Sequence, residues 1–456
     1  SEMCIRDRYL ICSYYSFSVR KRRYGKLTLP AHARKDGEHM KTLTYINLAI
    51  AVVVGLCCCY QVLFTLIRVR GLGRRFKERS LSRFAVLIAA RDEAAVIGQL
   101  IDSIKAQDYP SELVDIYVVA DNCTDSTAMV AASRGVTVYQ RRNKIQVGKG
   151  YALEFLLSKI AQDKPEGTYD GFFVFDADNL LDPHYISEMN KVFSNGCPVV
   201  TGYRNAKNFG DNWISAGYGM YFLRESEYLN RPRDYLGTSC AVSGTGFLFS
   251  AKLLEKVGGW HYYALTEDLE FTLDLVCRGE KISYCSTAVL YDEQPTGFKQ
   301  SVVQRARWMR GLMQIMGKNG GSLLHALFGS GSFACYDLLI NSLAAVLMGL
   351  GFVMNTVMFA VGLCTPGFET GPVVIAALLA LGGTYLGLYF TGLLTLITEW
   401  RRIPCRASRK ILFSFTYPFF MASFMAALAV AMSGGTQWKP IRHTVAVSLG
   451  ELDGRR

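Results

Sequence analysis

An α/β domain with a largely parallel sheet, inserted between membrane-spanning α-helices, is the architecture that this sequence predicts. Three observations carry the expectation. Short apolar runs alternate with amphipathic stretches from residue 83 to about residue 317. Long apolar segments flank that region, one before it and three after it. Basic residues gather at the ends of those segments: 68–83 holds seven Lys or Arg against one acid, and 399–410 holds five against one.

Composition agrees. The 456 residues are 50% hydrophobic and only 19% charged, against roughly 25% in a soluble domain, and mean hydropathy is +0.16. A disordered chain is excluded. The formal charge of +12 sits beside apolar runs, which is the positive-inside pattern of a membrane protein and not a nucleic-acid footprint. The thirteen cysteines include no CxxC pair and the six histidines no HExxH, so buried reduced thiols are expected and not a zinc or disulfide framework.

Residues 1–39 form a basic N-terminal extension without periodicity, and Met40-Lys41 before an apolar run reads as the natural start. Residues 40–68 are long enough for a transmembrane helix, and the basic residues after it put the next domain in the cytoplasm. That domain covers 83–298. Phe84–Ala90 reads as a buried strand, and Glu93–Gln107 as a helix with Val96, Leu100, Ile101 and Ile104 on one face. Asp115–Ala120, Val136–Tyr139 and Phe172–Phe175 read as strands; Asp125–Arg134 and Lys149–Ile160 read as helices. Such alternation gives a parallel sheet covered on both faces, with ligands at the carboxyl ends of its strands. Residues 299–320 are an amphipathic interface helix. Residues 333–432 hold three membrane segments, apolar except for Asp337 and broken once at Pro418, and 433–456 form a polar tail. The 364–372 turn lacks Lys and Arg and belongs outside. Trp438, Lys439, Arg442 and His443 read as an inner-leaflet interfacial segment.

Three short motifs carry chemistry. Asp176 and Asp178 end an apolar strand. In an extended segment residues i and i+2 point the same way, so both carboxylates could face one hard cation; the alternative is a pair of turn acids. Thr266-Glu267-Asp268 opens an amphipathic helix. The two acids suit a first turn and Thr266 a cap, but a positioned Asp268 could also accept a hydroxyl proton, for roughly 10²–10⁴-fold in rate. Gln304, Arg307 and Trp308 share a helical face. There Arg can grip phosphate and Trp can stack a sugar ring, or the helix can lie on the leaflet with Trp308 and Arg310 as anchors. Two other motifs fail: Gly148-Lys149 lacks the residues of a P-loop, and Gly244-Thr245-Gly246 is followed by Phe249 where a dinucleotide loop needs Gly.

In this order, between apolar flanks, the motifs resemble family 2 glycosyltransferases, specifically membrane-embedded polysaccharide synthases of the cellulose, chitin, hyaluronan and poly-N-acetylglucosamine type. The match runs over about residues 80–320. The resemblance implies a GT-A fold, a nucleotide-sugar donor (UDP-linked), Mg²⁺ or Mn²⁺, and inversion at the anomeric carbon. It assigns Asp176 and Asp178 to the metal, and Asp92, Glu93, Asp121, Lys149, Asp176, Gln304 and Arg307 to the donor. Asp268 is the base with Glu267 beside it, and Trp308 and Gly244 meet the acceptor. It further implies an integral protein of the cell membrane that extends a glycan on the cytoplasmic side, with accessory export subunits as further partners. The alternative is a transferase adding one sugar to a lipid-linked acceptor.

Overall fold

The computed structural model describes residues 45, 48–363, 370–434, 443, 445 and 447–454. The extension 1–39, the start at Met40, most of the 364–372 turn, and Trp438, Lys439 and Arg442 lie outside them. The chain divides into two units. One comprises the described residues up to 55 and those within 350–378, all helical; the other runs over 56–349 and from 379 onward, and it contains the sheet and every site residue discussed below.

Eight strands form one mixed sheet: β1 (Phe84–Ala90), β2 (Val114–Asp121), β3 (Thr137–Arg141), β4 (Gly171–Asp176), β5 (Leu180–Leu181), β6 (Val199–Ala206), β7 (Phe247–Ser250) and β8 (Ile282–Asp292). Their order is β3-β2-β1-β4-β7-β6-β8-β5. The first four are parallel, as the alternation predicts. Strand β7 runs antiparallel to β4 and β6, and β5 antiparallel to β8, so the sheet is less parallel than expected.

Strand β1 is apolar throughout because both its faces are covered. Phe84, Val86, Ile88 and Ala90 enter one core with Leu100 and Ile101; Ala85 and Leu87 enter the other with Leu153 and Leu156. The alternation follows the pleat, and each large apolar side chain so buried contributes roughly 1.5–3 kcal/mol. Val96, Leu100, Ile101 and Ile104 are all buried, as their spacing predicts. Register then aligns the strand ends: Ala90 pairs with Ala120 and Ala89 with Asp176. The segments that leave β1, β2 and β4 therefore emerge at one edge, where open α/β sheets bind ligands.

Around the sheet pack α1 (Tyr60–Val69), α2 (Ile97–Lys105), α3 (Thr127–Ala132), α4 (Lys149–Asp163), α5 (Tyr185–Phe193), α6 (Trp213–Arg224), α7 (Arg231–Tyr235), α8 (Ala251–Val257) and α9 (Glu267–Cys277). Then come α10 (Phe298–Ser330), α11 (Phe333–Leu363), α12 (Thr370–Glu399), α13 (Ala407–Ala422) and α14 (Phe424–Met432). Among the described residues two helical stretches, Ala377–Glu399 and Ala407–Met432, are long and apolar enough to cross a membrane. The count is three if Leu48–Cys58 and Tyr60–Val69 make one span.

Asp337, the acid inside the first apolar segment after the domain, has partners. Arg233 Nε donates to it at 2.6 Å, Asn341 Nδ2 at 2.7 Å, and the Tyr60 hydroxyl also donates. The ten described cysteines are free thiols.

Candidate active site

The site is built where β1, β2 and β4 end and where α4, α9 and α10 meet them. Lys149 opens α4 with its ammonium turned inward. Its Nζ donates to the Asp176 carboxylate and to the Gly244 carbonyl oxygen at 2.7 Å, and lies 4.0 Å from Glu267 Oε1. Burial pulls the Lys149 pKa down, but Asp176, Glu267 and Asp268 outweigh it and the net shift is upward. Five of the residues singled out in the sequence, Lys149, Asp176, Gly244, Glu267 and Asp268, thus share one pocket of charge.

Glu267 and Asp268 open α9. Burial pushes Glu267 up to about 7, against the pull of Lys149. Burial also raises Asp268, although the Leu269 amide, Lys149, Arg307 and Arg204 pull it back. A carboxylate whose ionised form is disfavoured is the better proton acceptor. A Cβ placed on Gly244, whose φ is +77°, would lie 3.6 Å from Asp268 Oδ2, so the missing side chain leaves the space in front of the base open. Thr266 does not cap α9: its hydroxyl is buried, makes no hydrogen bond and faces Gly311 of α10.

The two acids of the Asp176-Ala177-Asp178 motif do not share an extended segment. Strand β4 stops at Asp176 and residues 177–178 form a turn. Asp176 keeps one edge toward solvent, while its backbone N–H donates to Thr245 Oγ1 at 2.9 Å. Asp178 is buried, accepts the Glu293 N–H at 2.9 Å, and faces His443 Nε2 at 4.0 Å. Burial opposes its ionisation, but His443, Lys207 and Arg204 hold it below the ordinary range.

His443 was expected at the membrane surface. It lies instead in the site, with Nδ1 at 2.9 Å from Glu93 Oε1. Burial pulls the imidazole down, but Asp178, Glu93 and Glu293 lift it to about 10. Around this turn gather the carboxylates Glu93, Asp176 and Asp178, with Lys149, His443, Lys207 and Arg204 as the cations that face them. Carboxylate oxygens are the donors that a small divalent cation takes, and Asp176, with one edge open to solvent, and Asp178 supply them; His443, lifted to about 10, is there a counter-ion and not a ligand. Among the described residues the acids and thiol whose ligand atoms lie within 4.8 Å of one another are Asp92, Cys123 and Asp125, but Asp92 Oδ1 already accepts the Thr124 N–H at 2.6 Å and the Asp125 N–H at 3.3 Å. Asp92, with φ +57°, thereby ties the turn after β2 to the end of β1.

Asp121 ends β2 and accepts Arg141 Nη1 at 2.7 Å across the strand pair, both side chains buried. Gln304, Arg307 and Trp308 lie on α10. Gln304 Oε1 is buried without a hydrogen-bond partner, and Arg307 is near enough to bias Asp268. Trp308 packs against Tyr218, Tyr221 and Phe222 of α6, with ring centroids 5.8, 6.3 and 5.9 Å apart. Its ring is therefore part of the domain wall.

Arg204 on β6 was not foreseen. Its guanidinium donates to Asp292 Oδ2 at 2.7 Å and to the Ser243 carbonyl at 2.6 Å, and stacks 3.6 Å over Phe222. It braces the 243–245 loop that receives Lys149 and Asp176. A polar triplet inside an otherwise apolar strand, Tyr203-Arg204-Asn205, is the sequence signal that marked it.

The chain is 25% identical over 284 residues to a probable glycosyltransferase of Sulfolobus acidocaldarius, covering 60% of this chain and 59% of that one. It is 26% identical over 232 residues to a β-monoglucosyldiacylglycerol synthase of Synechocystis, covering 50% of this chain and 47% of that one. It is 23% identical over 246 residues to a poly-β-1,6-N-acetyl-D-glucosamine synthase of Staphylococcus aureus, covering 52% of this chain and 56% of that one. The chain thus spans about half to three-fifths of the length of these relatives. In structure it is similar to a mannosyltransferase of Pyrobaculum calidifontis solved with GDP-mannose and Mn²⁺, with TM-score 0.53 and 16% identity over 84% of this chain and 98% of that one; at that identity the likeness shows the fold, which is GT-A. Residues 82–311, half of the chain and the whole span from β1 through the Gln304–Trp308 motif, match the family described as glycosyltransferase like family 2, and the chain belongs to that family.

Proposed function

We propose that the protein is an inverting, metal-dependent glycosyltransferase that moves a sugar from a UDP-sugar to the end of a growing glycan at the inner face of the cell membrane. The observation that carries this reading is the convergence of Lys149, Asp176, Gly244 and Asp268 in one pocket. Asp121 and Lys149 seat the nucleotide. Asp268 accepts the acceptor hydroxyl proton as that oxygen attacks the anomeric carbon, and Gly244 leaves room for the attack. Arg307 and Lys149 offset charge on the departing diphosphate, and Trp308 stacks the acceptor. A divalent cation (Mg²⁺ or Mn²⁺) held by Asp176 and Asp178 would supply further positive charge at that diphosphate. The basic stretches at the inner ends of α1 and α12 support a cytoplasmic domain.

The test is nucleotide release by the purified, detergent-solubilised protein from a panel of UDP- and GDP-sugars, with Mg²⁺, Mn²⁺ or EDTA. Metal-dependent release from one donor supports the reading; release that EDTA leaves untouched overturns the metal assignment. A second reading, single addition to a lipid-linked acceptor, is favoured by the relatives named as glucosyldiacylglycerol synthases. Product length on a gel or by mass spectrometry separates the two.

A further inference from the structure

We propose that Glu225 and Tyr221 form the acceptor subsite, and that it takes a neutral saccharide ring with free hydroxyls and not a bare lipid alcohol or a phosphate. The inference rests on the transferase reading and names the acceptor chemistry of that same site.

Glu225 opens a single π-helical turn, Glu225–Asn230, that continues α6; such turns are frequent at functional sites. It follows Tyr221 by four residues and therefore shares its side of the helix. The Tyr221 ring lies nearly parallel to Trp308, 25° between planes and 6.3 Å between centroids. Aromatic side chains of that kind beside a carboxylate suit a sugar ring.

The carboxylate supplies the polar half. Glu225 Oε2 accepts the Ser243 hydroxyl at 3.1 Å. Among the described residues that is its one hydrogen bond, and it has no ion pair: the neighbouring Arg204 guanidinium is committed to Asp292 and to Ser243. A carboxylate is an acceptor with about four lone-pair sites, and a largely buried one left with a single donor is costly. Burial raises the Glu225 pKa, which records the same deficit. Vicinal ring hydroxyls are donors that would fill it.

Placement links the subsite to the chemistry. Ser243 touches Glu225, and the next residue, Gly244, borders Asp268 Oδ2 at 3.6 Å from its would-be Cβ. Consecutive Cα atoms are about 3.8 Å apart. A ring held by Glu225 thus presents a hydroxyl beside the base. An ionised phosphate has no proton to donate, so it would leave the lone pairs of Glu225 unfilled.

The experiment uses the full chain in detergent with its active donor. Three acceptors are offered: a neutral alkyl glycoside, a diacylglycerol and a polyprenyl phosphate. Acceptor and donor KM are measured for wild type, Glu225→Gln and Glu225→Ala, with donor affinity by calorimetry as the check on folding. The expected result is transfer to the glycoside alone, an acceptor KM raised roughly 10- to 100-fold in Glu225→Ala, a smaller rise in Glu225→Gln, and donor affinity within about twofold of wild type. Equal transfer to diacylglycerol or to the phosphate overturns the inference while the transferase stands. So does an unchanged acceptor KM in Glu225→Ala with donor binding intact. Absence of nucleotide release in wild type from every donor sinks the transferase reading itself, and the subsite with it.

Discussion

Gly311 is the point at which the Gln304–Trp308 helix and the helix of the base touch. A Cβ at Gly311 would stand 2.3 Å from Thr266 Oγ1, 2.8 Å from Cγ2 and 3.0 Å from Cβ. Ordinary contact begins at 3.4 Å, so Gly311→Ala has to turn Thr266 about χ1 or drive the start of α9 and α10 apart, by up to about 1.1 Å. Overpacking of this kind costs about 1–3 kcal/mol in stability. The functional effect is larger, because Glu267 and Asp268 follow Thr266 directly: a misplacement of about 1 Å at a reacting group costs roughly 10²-fold in rate. The assay is kcat for nucleotide release at saturating donor and acceptor, with donor affinity and Tm alongside. Gly311→Ala should lower kcat by roughly 10²-fold and leave donor affinity near wild type. Thr266→Ala alone should be close to neutral, since its hydroxyl makes no hydrogen bond. Combined with Gly311→Ala it removes two of the three clashing atoms and should restore most of kcat. A double variant no better than Gly311→Ala alone, or a Gly311→Ala enzyme with full kcat, would refute the coupling between these helices.

Asp268→Asn should abolish turnover while calorimetry still detects donor binding; lost binding with surviving turnover would reverse the role. Asp268 must be ionised to accept a proton, so activity falls as pH drops through its raised pKa. Lys149 is one of the cations pulling that pKa down, so Lys149→Gln should move the acid limb of the kcat profile to higher pH; a limb that stays or moves down would contradict the assignment. Asp337→Leu leaves Arg233 buried without its carboxylate and should destabilise the protein by about 3–5 kcal/mol, read as a fall in Tm. Adding Arg233→Met should recover most of it, and no recovery would mean that the pair is not the cause.

The legible part of the fold was its most apolar part. Strands β1, β2 and β4 are buried on both faces, so they read as continuous runs between turn residues. The far half of the sheet was not read: β5 has two residues and β7 four, and β8 mixes Ser, Cys, Thr and Tyr with its aliphatics. The site divides in the same way. Acids close to a strand end or a helix start, such as Asp121, Asp176 and Asp268, announce themselves by local pattern. Glu93 and His443 meet across 350 positions, and no local periodicity encodes that contact. Asp178 shows the opposite failure, where a local rule was applied two residues too far: strand geometry ends at Asp176, and the turn sends the next acid toward Glu293 and His443.

Glu227 and Glu399 explain why so much charge is buried between the sheet and the helices next to it. Both carboxylates are wholly inaccessible. Arg68 of α1 bonds both, at 2.7 Å to Glu227, and Arg231 reaches Glu227 at 2.7 Å. The Tyr203 hydroxyl on β6 donates to Glu399 and the Tyr284 hydroxyl on β8 to Glu227, each at 2.9 Å. Desolvating such ions costs several kcal/mol apiece, so apolar contacts would hold these elements together at least as well. What apolar contacts lack is direction. Leucines at these positions would let α1 and the end of α12 slide along β6 and β8, whereas five directed contacts from four side chains admit one register. The same π-turn carries Glu227 into this clamp and Glu225 toward Ser243, two residues apart. A slip of the apolar helices would therefore displace the wall of the site, and the charges are best understood as fixing that distance and not as adding stability.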